Sequence, residues 1–332
     1  MSDDSFKALL LRDDGGKTLS GVENMTRGDL PEGDVLVRVD YSSLNFKDAL
    51  AITGKGKIVR TWPMVPGIDL AGSVLESDSP DYRKGDAVVL TGWSVGERYW
   101  GGYSQQQRVR SEWLVPLPEG LDSARAMAIG TAGFTGMLCV MALEESGITP
   151  QSGAVLVTGA AGGVGSVAVS VLAKLGYEVT ALTGNPASHD YVRALGATHF
   201  ADGEEWSAAP RALETQRWAA AVDTVGTKVL ARVLAEMDYG GVVAACGLAG
   251  GADLPTTVMP FILRGVTLRG VDSVMCPVDR RKRAWDRLLH DLSDQALERI
   301  SHRVISLDQV FAVSEELLAG KVQGRVVVDV NA

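Results

Sequence analysis

A glycine-rich run at residues 159–165, with the sequence GAAGGVG, has residue types and spacing that suit phosphate binding. It follows an apolar segment typical of a strand and precedes a segment typical of a helix. Small residues let backbone amides approach a pyrophosphate, and the N-terminus of a helix favours negative charge. The pattern predicts a dinucleotide-binding turn with Ala161, Gly162, Gly163 and Val164 at the cofactor. The alternative is a tight turn without a ligand.

The residues after the next predicted strand indicate which dinucleotide would bind. That strand ends at Leu182 and is followed by Thr183, Gly184 and Asn185. Enzymes that use NAD usually carry a carboxylate here for the ribose hydroxyls, and a carboxylate would repel a 2′-phosphate. Thr183 and Asn185 can donate hydrogen bonds to such a phosphate, and Arg193 follows one helix later. The sequence therefore favours NADPH over NADH, although Arg193 alone also fits a solvated helix surface.

A third turn, at Cys246, Gly247 and Leu248, follows another predicted strand, where open α/β sheets place their ligands. We expect it to form a wall of the nicotinamide site. Cys246 and the other two cysteines, Cys139 and Cys276, lie far apart in the sequence and form no CxxC motif. This spacing argues against a disulfide framework or a zinc cluster and favours buried thiols in a reducing compartment.

The elements that must position these turns change in character along the chain. Up to residue 115, short apolar or alternating runs broken by Gly, Pro and Asp predict an antiparallel domain. Its predicted strands are 6–11, 35–41, 69–75 and 87–90. Ser123 can cap a long helix over 124–145, and strands then alternate with helices, which is typical of a doubly wound parallel α/β domain. The predicted strands of this domain are 154–158, 178–182, 219–223, 241–246 and 266–268, and its predicted helices are 164–175, 189–195 and 228–237.

After a charged helix predicted near 280–292, segments 304–306, 310–318 and 325–330 resemble the first domain again. We therefore expect the α/β domain to be inserted within the antiparallel one. The predicted boundaries are 1–125 and 273–332 for the antiparallel domain and 126–272 for the inserted domain.

Composition limits the classes of protein. The 332 residues are 46% hydrophobic and 22% charged, which predicts a packed core and argues against disorder. The net charge of −9 disfavours nucleic acid as a partner. No basic leader precedes the first apolar run, and we expect the apolar stretches to fall short of the roughly 18–20 residues of a membrane span. These features predict a cytoplasmic protein without a membrane segment.

Several longer motifs carry a resemblance to a known family. They are 42–50 (SSLNFKDAL), 54–57 (GKGK), 66–72 (PGIDLAG), 90–93 (LTGW), 100–102 (WGG), 130–133 (GTAG) and 255–260 (PTTVMP). With the glycine run, the chain resembles the medium-chain dehydrogenase/reductase superfamily over essentially its full length. Within it, the chain is similar to the zinc-free, quinone-oxidoreductase-like YhdH/YhfP branch, which includes acrylyl-CoA reductases.

This resemblance implies a fold and a reaction. The fold would be a β-rich GroES-like catalytic domain with an inserted, doubly wound Rossmann domain that has a parallel sheet. The reaction would be NADPH-dependent reduction of acryloyl-CoA to propionyl-CoA, with hydride added at the β carbon and a proton at the α carbon. A quinone or another α,β-unsaturated carbonyl is the alternative acceptor. Relatives of this kind often form homodimers.

The resemblance also implies roles for particular residues. Asn45, Phe46 and Asp48 lie in the segment expected beside the nicotinamide, with Asp48 favoured for orienting substrate or water. Phe46 and Thr131 would contact the cofactor. The alternatives are a local Asx-turn at Asn45, a core position for Phe46, a surface position for Asp48 and a helix-internal hydrogen bond for Thr131. Arg325 is a further candidate cofactor contact.

An acyl-CoA substrate carries three phosphates that the protein would also have to bind. Lys55, Lys57 and Arg60 lie in or beside a glycine-containing loop that suits these phosphates, although charged loop residues are usually only solvated. Trp93 and Tyr99 would line the substrate mouth. Tyr99, Tyr103 and an ordered water are candidate proton donors. A basic run at 280–283 suits CoA as well, but a solvent-facing helix start is the favoured interpretation.

The chain departs from its relatives at two kinds of position. Zinc-binding relatives have a Gly-His-Glu segment where this chain has Gly67-Ile68-Asp69, and no cysteine occurs in the first 125 residues, so no metal is expected. Close relatives often have Tyr at the position of Phe46 and Arg at that of Asn185. Phe46 cannot donate a proton, and the missing arginine weakens the argument for NADPH.

Overall fold

A computed structural model describes residues 5–201, 206 and 209–332. The chain folds into two compact units. The first unit is Met1–Thr131, Ser273–Asp286 and Ser301–Ala332, and the second is Ala132–Asp272 with Arg287–Ile300. The boundary thus falls six residues beyond the predicted one (131 against 125), and Arg287–Ile300 packs with the second unit. Residues 287–300 belong to the second unit because α8 (Asp294–Ile300) packs against α3 (Gly163–Lys174).

The first unit is mainly antiparallel. Its strands are β1 (Ser5–Asp14), β2 (Lys17–Thr26), β3 (Val35–Leu44), β4 (Asp69–Ser77), β5 (Ala87–Thr91), β6 (Gln106–Val109), β7 (Val115–Pro116), β14 (Ser301–Ser306) and β15 (Arg325–Asp329). Its helices are α1 (Phe46–Ile52) and α9 (Val310–Leu318). Two helices contain unit boundaries: α2 (Ser123–Glu145) and α7 (Val278–Asp291).

The seven-stranded sheet of this unit has the order β14-β15-β3-β4-β5-β7, with β6 also paired to β3. Strand β15 lies parallel to β14 and antiparallel to β3, in a register that places Val326 opposite Leu44. Strands β1 and β2 form a separate hairpin. Apolar side chains from both sheets fill one core, including Leu11, Val37 and Val328. The returning segment therefore completes the interior of the first sheet.

The second unit is a doubly wound α/β domain. Its strands are β8 (Val155–Thr158), β9 (Val179–Leu182), β10 (His199–Phe200), β11 (Trp218–Asp223), β12 (Met237–Ala245) and β13 (Thr267–Gly270), and its further helices are α4 (His189–Ala194), α5 (Thr227–Glu236) and α6 (Met259–Arg264). The parallel sheet has the order β10-β9-β8-β11-β12-β13, the arrangement of dinucleotide-binding domains. Strands β8, β9 and β11 are buried throughout, as expected for a sheet covered on both faces. The predicted fold class is confirmed.

Helix α2 corrects two sequence-based expectations. It is long and apolar enough to cross a membrane, with an 18-residue window of mean hydropathy 1.8, but 94% of that window is buried, as in the core helix of a soluble protein. Its N-terminal cap is Asp122 rather than Ser123, because Asp122 Oδ1 accepts a hydrogen bond from the Arg125 amide at 2.7 Å. Ser123 instead donates to Asp40 Oδ2 at 3.2 Å.

The basic run in α7 is a further correction, because Arg281 does not face solvent. Its side chain is 1% exposed and donates to the carbonyl and hydroxyl oxygens of Thr91 at 2.7 and 2.8 Å. Its guanidinium also lies 5.1 Å from the centre of the Trp93 ring. Arg281 therefore connects the start of α7 to the end of β5 through hydrogen bonds.

Candidate active site and cofactor site

Asp69, the first residue of β4, lies at the centre of a buried polar cluster in the first unit. Its Oδ2 accepts hydrogen bonds from Ser43 Oγ at 2.5 Å, Asn45 Nδ2 at 2.9 Å and the Thr131 amide at 2.9 Å. Its Oδ1 accepts from the hydroxyl of Thr131. Asp69 is fully buried, and these donors replace the water that the carboxylate loses. The carboxylate thereby fixes the backbone and the side chain of Thr131.

Arg325, the first residue of β15, supplies the positive charge of this cluster. It is 3% exposed, and its Nη2 donates to Ser43 Oγ at 2.7 Å and lies 3.9 Å from Asp69 Oδ2. Nη1 donates to Asn45 Oδ1 at 3.1 Å, and Nε donates to the Ala128 carbonyl at 3.2 Å. Burial lowers the pKa of Arg325, and the neighbouring carboxylates oppose that change. Its guanidinium therefore joins polar side chains at the end of β3 to the first half of α2.

Asn45 and Asp48 form a capping box at the start of α1. Asp48 Oδ2 accepts from the Asn45 amide at 2.9 Å and from Asn45 Nδ2 at 3.1 Å, and Oδ1 accepts from the Ile68 amide at 3.0 Å. Asp48 is 1% exposed; burial and, secondarily, the charge of Asp69 raise its pKa to about 7, although these hydrogen bonds favour the ionised form. Both side chains thus have structural partners, and the surface alternative for Asp48 is wrong.

Phe46 differs from its two neighbours because 40% of it is exposed. It is the first residue of α1, directly after the cap, so the capping box fixes the backbone that carries its ring. Tyr103, in contrast, is fully buried and donates to the Ser43 carbonyl at 3.0 Å. Burial, reinforced by the charges of Asp48 and Asp69, raises the pKa of Tyr103 well above its ordinary value. Phe46 is thus the accessible member of the predicted trio Asn45, Phe46 and Asp48.

The glycine run forms a turn between β8 and α3 in the second unit. Gly162 is the N-cap of α3 in extended conformation (φ −80°, ψ 176°), and a Cβ added to it would meet one atom, the Gly159 carbonyl oxygen, at 3.2 Å. A Cβ on Gly165 would lie 2.3 Å from that same oxygen and 2.7 Å from the α carbon of Ala160. Gly165 therefore permits close packing of helix on strand, while Gly162 leaves space at the helix N-terminus. These features fit a dinucleotide pyrophosphate.

The turn after β9 places Thr183 and Asn185 at the end of the strand. Thr183 is 8% exposed, and its hydroxyl donates to the Asn185 carbonyl at 2.8 Å. Asn185 is exposed, and its Oδ1 accepts from the Ala187 amide at 3.0 Å, which caps a short 3₁₀ helix. Within the described residues Asn185 Nδ2 has no hydrogen-bond partner, so its N–H groups point to no protein acceptor. Exposed Gly184 lies between the two residues.

Arg193 is held on the surface of α4. Its side chain pairs with Asp190 at 2.6 Å and lies 5.1 Å from the centre of the Phe200 ring. Its side chain remains 58% exposed. The structure therefore gives Arg193 protein partners at the helix surface, as the solvated-helix alternative predicts.

The turns after β11 and β12 are tied together at their carboxyl ends. Asp223 Oδ1 accepts from Thr158 Oγ1 at 2.7 Å, and the Cys246 amide donates to the Asp223 carbonyl at 2.9 Å. A Cβ on Gly247 would lie 2.2 Å from the Thr224 carbonyl oxygen, so only glycine allows this approach. Cys246 is half-buried and Leu248 is 62% exposed. The three strand ends thus form one continuous edge beside the glycine turn.

The residues predicted for substrate binding lie mainly on the surface of the first unit. Lys55, Lys57 and Arg60 are exposed, and Lys55 pairs with Glu315 at 3.5 Å. Trp93 is half-buried. Tyr99 is 40% exposed, and its ring centre lies 4.9 Å from that of Trp113.

Sequence reasoning missed Asp69 and Ser43 as members of the buried cluster. Both lie inside family motifs, SSLNFKDAL and PGIDLAG, and an acid at the start of a buried strand is the signal that points to a partner. Within the described residues, no group of three or more His, Cys, Asp or Glu side chains is arranged to hold a metal ion.

Two family models match the chain. The alcohol dehydrogenase GroES-like domain matches residues 31–119, and the zinc-binding dehydrogenase model matches residues 163–290. The first match covers most of the antiparallel unit's N-terminal segment, and the second covers most of the α/β unit.

Individual relatives match over nearly the whole chain. Acrylyl-CoA reductase AcuI of Ruegeria pomeroyi is 56% identical over 330 residues, covering 98% of this chain and all of the relative. The crystal structure of E. coli K-12 YhdH with bound NADPH has a TM-score of 0.95 at 56% identity, covering 98% of this chain and 100% of that one. Bacillus subtilis YhfP, a putative quinone oxidoreductase solved with NAD bound, has a TM-score of 0.94 at 44% identity, covering 98% of this chain and 99% of that one. The chain belongs to the medium-chain dehydrogenase/reductase superfamily, in the branch that contains AcuI, YhdH and YhfP.

Proposed function

We propose that the protein is an NADPH-dependent reductase that converts acryloyl-CoA to propionyl-CoA. The observation that carries this proposal is the 56% identity to an acrylyl-CoA reductase over all of that relative's length. Such a reaction needs a cofactor site, which the glycine turn at α3 would supply. It also needs a rigid framework for the reactants, which the buried cluster around Asp69 would supply.

The second unit would hold the cofactor. The α3 N-terminus and the turn 161–164 would bind the pyrophosphate. Asn185 would bind the 2′-phosphate end of the adenosine beside Gly184, and Thr183 supports this turn because its hydroxyl already donates to the Asn185 carbonyl. Arg193 lies nearby in sequence. Cys246, Gly247 and Leu248 line the edge formed by the strand ends. When bound, NADPH supplies the hydride, and the protein contributes position and electrostatics. The absence of a carboxylate after β9 supports NADPH over NADH.

In the first unit, the buried cluster positions the groups that meet the reactants. Asp69 fixes Thr131, and the Asn45–Asp48 capping box fixes Phe46 with its exposed ring. Asn45 and Asp48 act as positioning residues, because their polar atoms are already bonded inside the protein. Arg325 completes this framework, because its guanidinium nitrogens donate to Ala128, Asn45 and Ser43. Fixed geometry of this kind contributes much of the rate in a bimolecular reaction.

Reduction of the thioester-conjugated alkene places negative charge on the thioester oxygen and requires a proton at the α carbon. Tyr103 is a poor donor, since its buried hydroxyl already donates to the Ser43 carbonyl at 3.0 Å. Phe46 has no proton to give. Tyr99, which is 40% exposed, and solvent water are therefore the two candidate proton sources. The reaction proceeds without a metal, because Asp69, at the position of the zinc ligand segment, is saturated by Ser43, Asn45 and Thr131.

The decisive experiment follows NADPH absorbance with acryloyl-CoA, then with NADH in place of NADPH, and then with a benzoquinone as acceptor. Rapid oxidation of NADPH that requires acryloyl-CoA supports the proposal. Turnover of the quinone with none of the thioester would overturn the substrate assignment and leave the family membership intact.

A quinone acceptor is the second candidate function, favoured by the name of the 45% identical relative YhfP. A quinone site needs a flat apolar slot and no phosphate binders. Free CoA would inhibit a CoA-thioester reductase competitively and would leave quinone reduction unchanged, so this competition separates the two.

The proposal includes a cytoplasmic homodimer that binds neither nucleic acid nor membranes. Strand β13 lies at the edge of its sheet. The adjoining segment 258–263 is strongly apolar, and Val258, Ile262 and Leu263 are 63%, 72% and 55% exposed. An exposed strand edge beside apolar side chains favours pairing with a second copy.

A further inference from the structure

One face of the first unit combines exposed guanidinium groups with exposed aromatic rings. It consists of Arg60, Trp62, Arg98, Tyr99 and Arg110, and we refer to it as the arginine–aromatic face. The three arginines are exposed, and Trp62 and Tyr99 are each 40% exposed. Such a concentration of positive charge contrasts with the net charge of −9 of the whole chain.

Hydrogen bonds and ring contacts bring these residues together from three separate segments. The Arg60 amide donates to the Glu97 carbonyl at 2.8 Å, and Thr61 Oγ1 donates to the Arg98 carbonyl at 2.9 Å. Residues 60–61 therefore run beside residues 97–98. The Arg110 guanidinium lies 5.4 Å from the centre of the Tyr99 ring, which adds the third arginine to this surface.

The charges on this face are only partly compensated. Glu97 pairs with Lys47 at 2.7 Å, and Glu112 lies 3.8 Å from Arg110. Within the described residues, the side chains of Arg60 and Arg98 have no ion-pair partner. Two guanidinium groups beside exposed aromatic rings therefore remain available to a ligand that carries both phosphate and a flat ring.

We infer that this face binds the 3′-phospho-ADP end of a CoA thioester, an inference that rests on the proposed function. Guanidinium groups bind phosphate through paired hydrogen bonds, and aromatic rings stack on a purine. CoA provides three phosphates and one adenine on the same fragment. A quinone offers neither, so the face is specific to a CoA thioester as the substrate.

The test compares acryloyl-CoA with S-acryloyl pantetheine, which lacks the phosphorylated adenosine. Arg60→Ala and Arg98→Ala should each raise KM for acryloyl-CoA by about five- to tenfold, the loss expected for one charge-assisted contact. KM for the pantetheine thioester and the Kd for NADPH should stay unchanged. Arg83→Ala is the matched control, because Arg83 is an exposed arginine in the turn before β5.

Equal changes with both thioesters, or no change with acryloyl-CoA, would overturn the inference. Binding of free CoA to NADPH-saturated protein, measured by calorimetry, gives a readout that does not depend on turnover. Weaker CoA binding in Arg60→Ala and Arg98→Ala supports the arginine–aromatic face even if acryloyl-CoA proves a poor substrate. Turnover of acryloyl-CoA with unaltered CoA binding in both variants would reject the face and leave the proposed function standing.

Discussion

At the scale of single residues, the two buried acids of the first unit's polar cluster differ in their partners. Asp69 accepts several hydrogen bonds and lies near Arg325, whereas Asp48 has amide donors and, among the residues that the structure describes, no cation in direct contact. Asp48, with a pKa raised to about 7, is the group whose ionisation costs stability.

The sign of the pH effect follows from that raised pKa. Asp48 ionises near 3.8 in the unfolded chain and near 7 in the folded one, so its stabilising contribution is complete below pH 3.8 and is lost as pH rises to about 7. We expect Asp48→Asn to flatten the decline in unfolding free energy over this interval, measured by urea unfolding at several pH values. Asp308→Asn, at an exposed position, is the control and should keep the wild-type slope. Identical slopes in wild type and Asp48→Asn would contradict the assignment.

The two glycines of the α3 turn should separate cofactor binding from folding. Gly162→Val should weaken NADPH binding by at least about tenfold with little change in Tm, because an added Cβ meets one atom at 3.2 Å but fills the space at the helix N-terminus. Gly165→Ala should lower Tm, since its Cβ would lie 2.3 Å from the Gly159 carbonyl oxygen. Calorimetric titration and thermal unfolding of both variants measure the two effects. A large drop in Tm for Gly162→Val would reject this separation.

Asn185→Asp should discriminate between the two dinucleotides. An aspartate can still accept the hydrogen bond from the Ala187 amide, so the local turn is preserved. Its negative charge repels a 2′-phosphate but not a ribose hydroxyl, and we expect Kd to rise far more for NADPH than for NADH. If both cofactors lose affinity equally, Asn185 does not face the 2′-phosphate.

At the scale of elements, the kink in α2 links the helix to the buried cluster. Gly130 has φ 52° and ψ −163°, which interrupts the helix one residue before Thr131. A Cβ at Gly130 would lie 2.6 Å from Arg325 Nη2 and 2.7 Å from Asp69 Oδ2. The kink therefore allows the backbone of α2 to lie directly beside Asp69 and Arg325. It also places the Thr131 amide where it donates to Asp69.

Gly130→Ala should therefore destabilise the protein by about 1–3 kcal/mol, from backbone strain alone, with displacement of Arg325 adding to it. Gly21→Ala is the control, because no atom lies within 4 Å of the added Cβ. Urea unfolding measures both. A Gly130→Ala variant as stable as Gly21→Ala would show that the kink is not required.

Most helices and strands of the second unit could be predicted because their signals are local, but the two-residue β10 and the short helices α6 and α8 were not. Buried parallel strands are uniformly apolar, and α3 and α4 each end two residues before a glycine, Gly176 and Gly196. In the first unit, strands β2 and β6 and the two-residue β7 were not predicted. Strand β2 is mostly exposed and polar, and β6 (QQRV) is polar at all but one of its positions. Their pairing with β1 and β3 stabilises them, and pairing across distant segments leaves little trace in a local pattern.

The two parts of the candidate site, the glycine turn and the buried cluster, also differ in how far the sequence predicts them. The glycine turn is contiguous in sequence, so its chemistry could be predicted. The buried cluster joins residues 43–48, 69, 131 and 325, which only the tertiary fold brings together. Family resemblance pointed to Asn45 and Asp48, but only the contacts identify them as a helix cap and Asp69 as the centre.

At the scale of the whole molecule, the exposed edge of the second unit's sheet carries the prediction of a homodimer. Replacing Ile262, which is 72% exposed, with glutamate should convert the dimer to monomers while leaving the fold intact. Sedimentation equilibrium measures the change, and Val304→Glu, also at an exposed apolar position, serves as the control. A wild-type protein that sediments as a monomer would remove the basis for this interface.

The position of β15 has a consequence for biosynthesis. This strand lies between β14 and β3 in the sheet, yet it comes after every other strand of that sheet in the sequence. It also brings Arg325 close to the carboxylate of Asp69. The ribosome therefore finishes the entire inserted α/β unit before the first unit can close its sheet or neutralise its buried acid. Until β15 emerges, the nascent antiparallel unit exposes an unpaired edge of β3, and its completion must follow translation of residue 325. Chaperone dependence would then concentrate on the unit that begins the chain, while the inserted unit folds first.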